Sequence, residues 1–503
     1  MAEYVIVGAG AAGCVMARRL VDAGKSVVLM EAGALHAHQS NIDEPGGFIN
    51  LWGGKADWGI QTVPQEGQFG RQITINQGKV VGGSSAINAM MYVRCNRTDY
   101  DLLTERSGGA WSAADIESAF AALENYVDGP APGRYQSGLM TVRNCPDPAS
   151  YFPEFQLAAK QLGYKGDDFD YNGPEQVGGA APLQFNVTLD GKRHSAFNAY
   201  LQPILGSPLL TVLDNTTAQR ISFKGKRAVA VEAIGADGKP VSVPFDKDVI
   251  VAMGALQSPG LLLKSGIGPE ADLKAAGVAT VADVTSVGQN LMDHLQLPVV
   301  FRLNKPLPEP TLLTGNVLFV DLNHHGVPGA PDLQLNFTPA APRPLQRMLP
   351  PLGGPVMIFL PIMVQPKSRG TVSIKADGSI AVDPKYLSDP SDVELLKKAV
   401  ELARSMARTQ AMSGFAGDEL APGANDVEGY IRGASSTLWH PVGTCSIGTD
   451  PKTSVVGADL RVHGVEGVRV CDASVMPRTN TGNNHVPTMI IAEVGAKKIL
   501  AAA

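Results

Sequence analysis

Two of the nine histidines stand in short, rigid surroundings where an imidazole could serve chemistry. His440 lies between Trp439 and Pro441 and is followed by Gly443-Thr444. His485 sits in Gly482-Asn483-Asn484-His485-Val486-Pro487-Thr488. An imidazole changes charge near neutral pH, so a histidine within hydrogen-bond reach of a substrate hydroxyl can take its proton. Composition alone favours a packed core residue for His440. Of the others, His36, His38, His324 and His325 lie in polar, loop-like stretches and read as solvated, and His463 sits in a turn-like VHGVEG run. His194 belongs to Gly191-Lys192-Arg193-His194-Ser195-Ala196, which reads as a solvated turn.

A second set of residues suited to chemistry opens the chain. Gly8, Gly10 and Gly13 follow the spacing G-x-G-x-x-G, with Ala11 and Ala12 between the last two. The first glycine allows a sharp turn, the second lets the backbone approach a pyrophosphate, and the third lets helix pack close to strand. Glu31 ends the next apolar run and precedes Ala32 and Gly33. A carboxylate there accepts from a ribose 2′-OH, which favours an unphosphorylated adenosine ribose. These residues together define a dinucleotide site.

The elements that must position them follow from periodicity. Tyr4 to Val7 and Ser26 to Met30 read as buried parallel strands, and Cys14 to Ala23 as the helix between them. The second glycine-rich stretch contains Gly82-Gly83-Ser84-Ser85. It either presents N–H groups and hydroxyls to an anion at a helix start or makes a tight turn before a core helix. A helical pattern follows Tyr151, with Phe155, Leu157, Ala158 and Leu162 apolar. Leu209 to Leu213, Gln219 to Phe223, Ala228 to Ile234 and Val241 to Phe245 read as an antiparallel meander, and Asp248 to Gly254 as a buried strand. From Leu297 to Gly433 come further strands at Pro298–Leu303, Asn316–Leu322, Asp332–Phe337, Val356–Val364 and Thr371–Ile374. A helix over Val393–Ala407 follows them. This predicts a large mixed or antiparallel sheet with helices on one face. The fold class is α/β, a Rossmann-like dinucleotide domain joined to a second domain built on that sheet.

Composition narrows the function. The 503 residues suffice for two domains, and a net charge of −6 with no basic run gives no reason to expect nucleic acid or an anionic membrane. No apolar run reaches the length of a spanning helix, and the first strand starts too early to leave room for a secretory signal. The five cysteines are scattered, without metal-binding spacing, and fit a reducing, cytoplasmic setting. No metal site is expected.

The motifs taken together resemble the glucose–methanol–choline family of FAD-dependent oxidoreductases. Beside GxGxxG with Glu31, the resemblance rests on GKVVGGSSAINAMMYVR (Gly78 to Arg94) and on Gly254 to Pro269. It continues through Val287 to His294, Trp439 to Cys445 and Gly482 to Glu493, all in the family's order. The resemblance implies FAD, bound without a covalent link because no histidine lies between Gly78 and Arg94. It implies cofactor contacts at Gly8, Gly10, Ala11, Ala12, Gly13, Glu31, Ala32, Trp58, Val80, Gly82, Gly83 and Ser84. Asn88, Ala89, Met90 and Met91 are placed against the flavin ring, Ala218 by the adenine, and Asp472 and Ala473 by the pyrophosphate. Val486, Pro487 and Thr488 fall near the pyrimidine end. His440 takes the position of the catalytic base and His485 that of its partner, where many members have Asn. His294 takes that of a structural histidine.

Trp439 is either a wall for an aromatic substrate or a plate against the flavin edge. The expected FAD domain covers residues 1–155, 205–295 and 435–503, and the substrate domain 156–204 and 296–434. The expected reaction is oxidation of a primary alcohol, aryl or furanic by preference, to the aldehyde. Electrons would pass to O2 or another acceptor. The alternatives are a hydroxynitrile lyase on the same scaffold and a choline or sugar alcohol dehydrogenase.

Overall fold

The computed structural model describes residues 1–35, 40–324, 326–341, 354–424 and 426–502. The strand Ala2–Val7, the helix Ala11–Asp22 and the strand Val27–Met30 open the chain. Tyr4 to Val7 are all buried, as a parallel strand covered on both faces requires. The two strands pair in parallel, and the sheet continues in parallel on either side. Leu210–Leu213 joins one edge, and the end of Pro240–Val251, then Val468–Val470, the other.

Two expectations are corrected here. Leu210–Leu213 belongs to the parallel sheet rather than to a meander, because its partner is Val27–Met30. Four alternating residues do not name their neighbour, and a strand more than 180 residues earlier supplies it. Pro240–Val251 is one 12-residue strand where two were expected. Its first half pairs antiparallel with Arg227–Ile234 and its second half parallel with Ala2–Val7. The polar Asp246-Lys247 pair marks the change from a half-covered to a fully covered sheet, not a break.

The helix expected after Gly82–Ser85 is a single 3-10 turn, Gly83–Ala86, and the next α-helix starts at Arg97. Gly82, Gly83 and Met90 all have positive φ, which a continuing α-helix does not allow. This leaves Ile87 to Met91 as irregular backbone that lines a cavity.

The second layer is a sheet of eight strands. Ala416–Ala421, Val299–Leu303, Val356–Met363, Leu333–Thr338, Asn316–Val320 and Ala180–Pro182 are neighbours in that order. Leu295–Gln296 and Ser436–Thr437 attach at one corner. Among the described residues every pairing in it is antiparallel, the second of the two forms expected. Thr371–Ile374 pairs only with Ile380–Asp383, as a separate hairpin. The helices Phe152–Gln161 and Pro390–Ala407 cover one face, with Phe155, Ala158, Leu396 and Ala399 buried against Phe337 and Phe359. Ala196 to Leu201 pack with the first core instead, and Tyr200 donates from its hydroxyl to Glu493 of the C-terminal helix at 2.8 Å. No helix among the described residues is long and apolar enough to cross a membrane.

Candidate active site

A cavity of about 720 Å³ runs between the parallel sheet and the antiparallel one. One end is lined by Gly8, Gly10, Ala11, Ala12, Glu31 and Ala218, the other by Gln296, Asn336, Thr338, Leu360, His440 and His485.

The first end is made largely of backbone. Gly10 caps the first helix without any side-chain cap, so the leading N–H groups of Ala11–Asp22 point into the cavity as a positive helix end. Side chains are excluded by contact. A Cβ on Gly13 would lie 1.9 Å from the Gly8 carbonyl oxygen, and one on Gly83 would lie 2.6 Å from the Gly10 Cα. Glu31 is buried, and its carboxylate accepts from the N–H groups of Ala9 and Gly33, both at 2.9 Å. Burial pushes this carboxyl up to about 7, against the opposing pull of those N–H groups. Asp472 accepts from Gly254 N–H at 2.9 Å and Ser474 N–H at 2.8 Å and is raised by burial. A helix end for a diphosphate beside a buried carboxylate for ribose hydroxyls suits a dinucleotide, and the glycine contacts leave that space open.

The other end is made of side chains. Leu295 pairs with Thr437, and Met292 with Val442 through reciprocal N–H···O bonds, so the 437–442 segment lies antiparallel to 292–295. Trp439 takes a left-handed φ of 62°, held by its N–H donating to Thr437 Oγ1 at 2.7 Å and by its ring against Trp52, centroids 4.4 Å apart. A bulky residue in that region is strained, and such strain is retained where surrounding structure fixes it. It turns the His440 ring toward the cavity. The buried Asp293 carboxylate accepts from His440 N–H at 2.8 Å and from the Tyr386 hydroxyl at 2.6 Å, anchoring the segment from behind. Burial raises that carboxyl to about 6.

A chain of ring nitrogens then sets the proton positions. The His294 Nε2 lies 2.9 Å from the Asn480 carbonyl oxygen, and the two Nδ1 atoms of His294 and His440 are 3.0 Å apart. A carbonyl only accepts, so His294 Nε2 carries the hydrogen. Burial holds His294 down to about 4, so the ring is neutral and its Nδ1 accepts. His440 Nδ1–H must therefore donate to it, and His440 Nε2 keeps its lone pair. That nitrogen is 3.4 Å from the Asn483 amide nitrogen. Burial first, then His294 and His485, hold His440 well below the usual histidine range. His485, lowered to about 4 by burial and then by Arg193, is neutral as well. The site thus holds two uncharged imidazoles, one with a defined basic nitrogen.

Most of the residues named from sequence line this cavity: Gly8, Gly10, Ala11, Ala12, Glu31, Ala32, Trp58, Gly83, Ser84, Asn88, Ala89, Met90, Met91, Ala218, Trp439, His440, Asp472, Ala473, His485 and Thr488. Gly13, Val80, Gly82, Val486 and Pro487 stand behind its wall. Gly13 and Gly82 serve close packing there, the latter donating its N–H to the Ala9 carbonyl at 2.8 Å. The resemblance marked His294 as structural, and its bond to the base could not be read from spacing alone. Arg193 is a correction. The turn is solvated at Gly191 and Lys192, yet Arg193 is 2% exposed, because residues 42–43 and 85–88 fold over it. His324 is another, since it pairs with Asp392 at 3.1 Å instead of being solvated. His36, His38 and His325 lie outside the described residues.

A cleft suited to a dinucleotide thus faces a pair of neutral imidazoles. Comparison with known proteins agrees. The sequence profile of GMC oxidoreductases matches residues 2–296 and 366–492. The chain is 34% identical to an uncharacterized GMC-type oxidoreductase of Mycobacterium tuberculosis, over 99% of each protein. It is 32% identical to an oxygen-dependent choline dehydrogenase of Brucella anthropi, over 99% of this chain and 95% of the relative. Among solved structures, pyridoxine 4-oxidase from Mesorbium loti superposes with a TM-score of 0.91 at 30% identity, covering 100% of this chain and 99% of that one. The chain belongs to the GMC oxidoreductase family, and membership implies FAD.

Proposed function

We propose that this protein oxidises a primary alcohol to the aldehyde, with aryl or furanic alcohols as the preferred class. FAD, held without a covalent bond at the residues named above, would accept hydride from the substrate α-carbon and later pass the electrons to O2 or another acceptor. The observation that carries the reading is the proton arrangement at His440. With Nδ1–H donated to His294, the bare Nε2 is ready to take the hydroxyl proton as hydride leaves. The Asn483 amide at 3.4 Å is a donor placed to hold the same hydroxyl oxygen. His485, neutral, can donate or accept from its free nitrogens and orient the substrate.

Preference for aromatic alcohols is supported by the Trp439 wall, packed at a tilt of 46° against Trp52, with its Nε1 unpartnered among the described residues. Choline is disfavoured by charge. The carboxylates lining the cavity are Glu31 and Asp472, both engaged by backbone N–H groups at the dinucleotide end. The other charged lining residues besides histidine are the cations Arg71 and Lys264. Among the described residues no carboxylate lines the cavity near His440, Asp293 standing behind the wall and held by the His440 N–H, so a quaternary ammonium would find no counter-ion facing it. The two domains proposed are supported by separate cores on the two sheets, with Ala196 to Leu201 packing in the first core rather than the second. A reducing, cytoplasmic setting is supported by five free cysteines.

The test is anaerobic bleaching of the bound flavin by a panel of benzylic, furanic, aliphatic and sugar alcohols and choline, followed by air. Bleaching by the aromatic alcohols is expected. Rapid recolouring with peroxide means an oxidase, and slow recolouring means a separate acceptor. A flavin that no alcohol bleaches would sink the reading and bring the lyase forward.

A further inference from the structure

Among the described residues Arg193 is a charge buried without a counter-ion. Its Nε donates to the Ile42 carbonyl at 2.8 Å. Its Nη1 donates to the Ser85 carbonyl at 3.1 Å, the Asn88 carbonyl at 2.7 Å and Asn88 Oδ1 at 2.8 Å, while Nη2 has no partner. Among the described residues no carboxylate forms an ion pair with it. Asp43 attracts it only from a distance, and its backbone carbonyl accepts from the Arg193 N–H at 2.9 Å. The other fully buried arginines differ. Arg134 pairs with Glu124 and Asp170, and Arg469 with Asp248. Burying an uncompensated charge is costly, so a guanidinium kept this way points to a task.

Two geometric consequences follow. Asn88 Oδ1 receives two donors, Arg193 Nη1 and the Met90 N–H at 2.9 Å. Both donors require an oxygen on that side, so the Asn88 NH2 is turned the other way. Asn88 lines the cavity, and its Nδ2 makes no hydrogen bond to the described residues. It is a donor held ready for something bound. Behind it the guanidinium sets a positive charge, and that charge also disfavours protonation of His485. The same region receives the start of the C-terminal helix His485–Ala501, which has no side-chain cap and directs its N–H groups at the cavity. Both features favour negative charge on whatever occupies the adjoining space.

We propose that Arg193 is a positioning residue of this site, holding the Asn88 amide with its NH2 turned into the cavity and supplying an unneutralised positive charge behind that wall. The bound flavin thereby takes on negative charge more readily when it is reduced. The proposal rests on the FAD reading above.

The experiment uses the full-length, FAD-loaded protein and its variants Arg193→Met, Arg193→Lys and Asn88→Asp. Its readouts are the flavin midpoint potential, affinity for sulfite (which adds to flavin to leave an anionic adduct), and the thermal midpoint with and without FAD. Arg193→Met is expected to lower the potential and weaken sulfite binding by at least about tenfold. Arg193→Lys keeps the charge but cannot span Ile42, Ser85 and Asn88, so it recovers the potential in part. Asn88→Asp keeps an acceptor for Arg193 but replaces the cavity donor with an oxygen and neutralises the cation, so it lowers sulfite affinity even if Arg193→Met fails to fold. Wild-type potential and sulfite affinity in the folded variants, with only the thermal midpoint reduced, would leave Arg193 a purely structural residue and overturn the proposal. A wild-type protein that neither retains nor takes up FAD would instead overturn the functional reading beneath it.

Discussion

At one end of the cavity the chain presents backbone, and at the other it presents side chains. The dinucleotide end comes mainly from Gly8 to Ala12 and from Glu31, near the start of the chain, with Ala218 and Asp472 added from further along, and its leading donors are N–H groups aligned by one helix. The histidine end comes from Asp293 and His294, from Thr437 to His440, and from Asn480 to His485, the first of these lying more than 140 residues before the other two. Backbone recognition needs glycine where a side chain would collide and is otherwise tolerant of sequence. A general base is not tolerant. It needs one ring nitrogen bare, and a second ring, a carbonyl and a buried carboxylate must all agree to leave it so.

If the two ends are this separate, a change at one should leave the other intact. The largest effect is expected from His440→Ala. Turnover should fall by about 10²–10⁴-fold while the purified protein stays yellow, measured by steady-state rates beside the flavin spectrum. Turnover like wild type would remove His440 from the mechanism. Glu31→Ala should do the reverse. It leaves the Ala9 and Gly33 N–H groups without their acceptor, so FAD affinity should weaken by roughly 10- to 100-fold, as about 1–3 kcal/mol implies. Turnover at saturating FAD should change little, and a large fall there would break the separation.

His294→Ala frees the His440 Nδ1–H from its acceptor and lets the ring adopt either tautomer. Rates should drop by about tenfold, near the worth of one buried hydrogen bond, with FAD retention unchanged in a spin-filtration assay.

The smallest effects concern pH. The base works when neutral and its pKa is lowered, so kcat/KM should stay level as pH falls through 6.5 and decline only well below it. His485→Asn removes one source of like-charge repulsion and should move that acid limb upward by less than about one unit. An acid limb already centred near 6.5 in the wild type would contradict the enclosed, neutral imidazole pair.

What could be read in advance divides along the same line. GxGxxG, Glu31 and the strands around them are legible because the strand, turn and helix are consecutive, with Gly13 packed against Gly8 inside the turn, although Gly8 itself is also held close to the distant Ala252. Gly254, Asp472 and the Trp439-His440 run were placed by resemblance. The role of His294 was not legible, since its proton is assigned by Asn480, 186 residues further along. Arg193 was misread for a related reason. Its neighbours Gly191 and Lys192 are exposed, and only the chain folding over it from residues 42–43 and 85–88 buries it. The single strand Pro240–Val251 hid in the same way, its two halves answering to different partners.

By itself the sequence determined the dinucleotide half of this protein, its family and the identity of the candidate base, because local spacing dictates turns, helix starts and strand ends. Tertiary structure alone decided which nitrogen of His440 is basic, which way Asn88 faces and where an arginine goes without a counter-ion. Those are matters of burial and of hydrogen-bond direction, and both belong to groups that meet only when distant segments pack together.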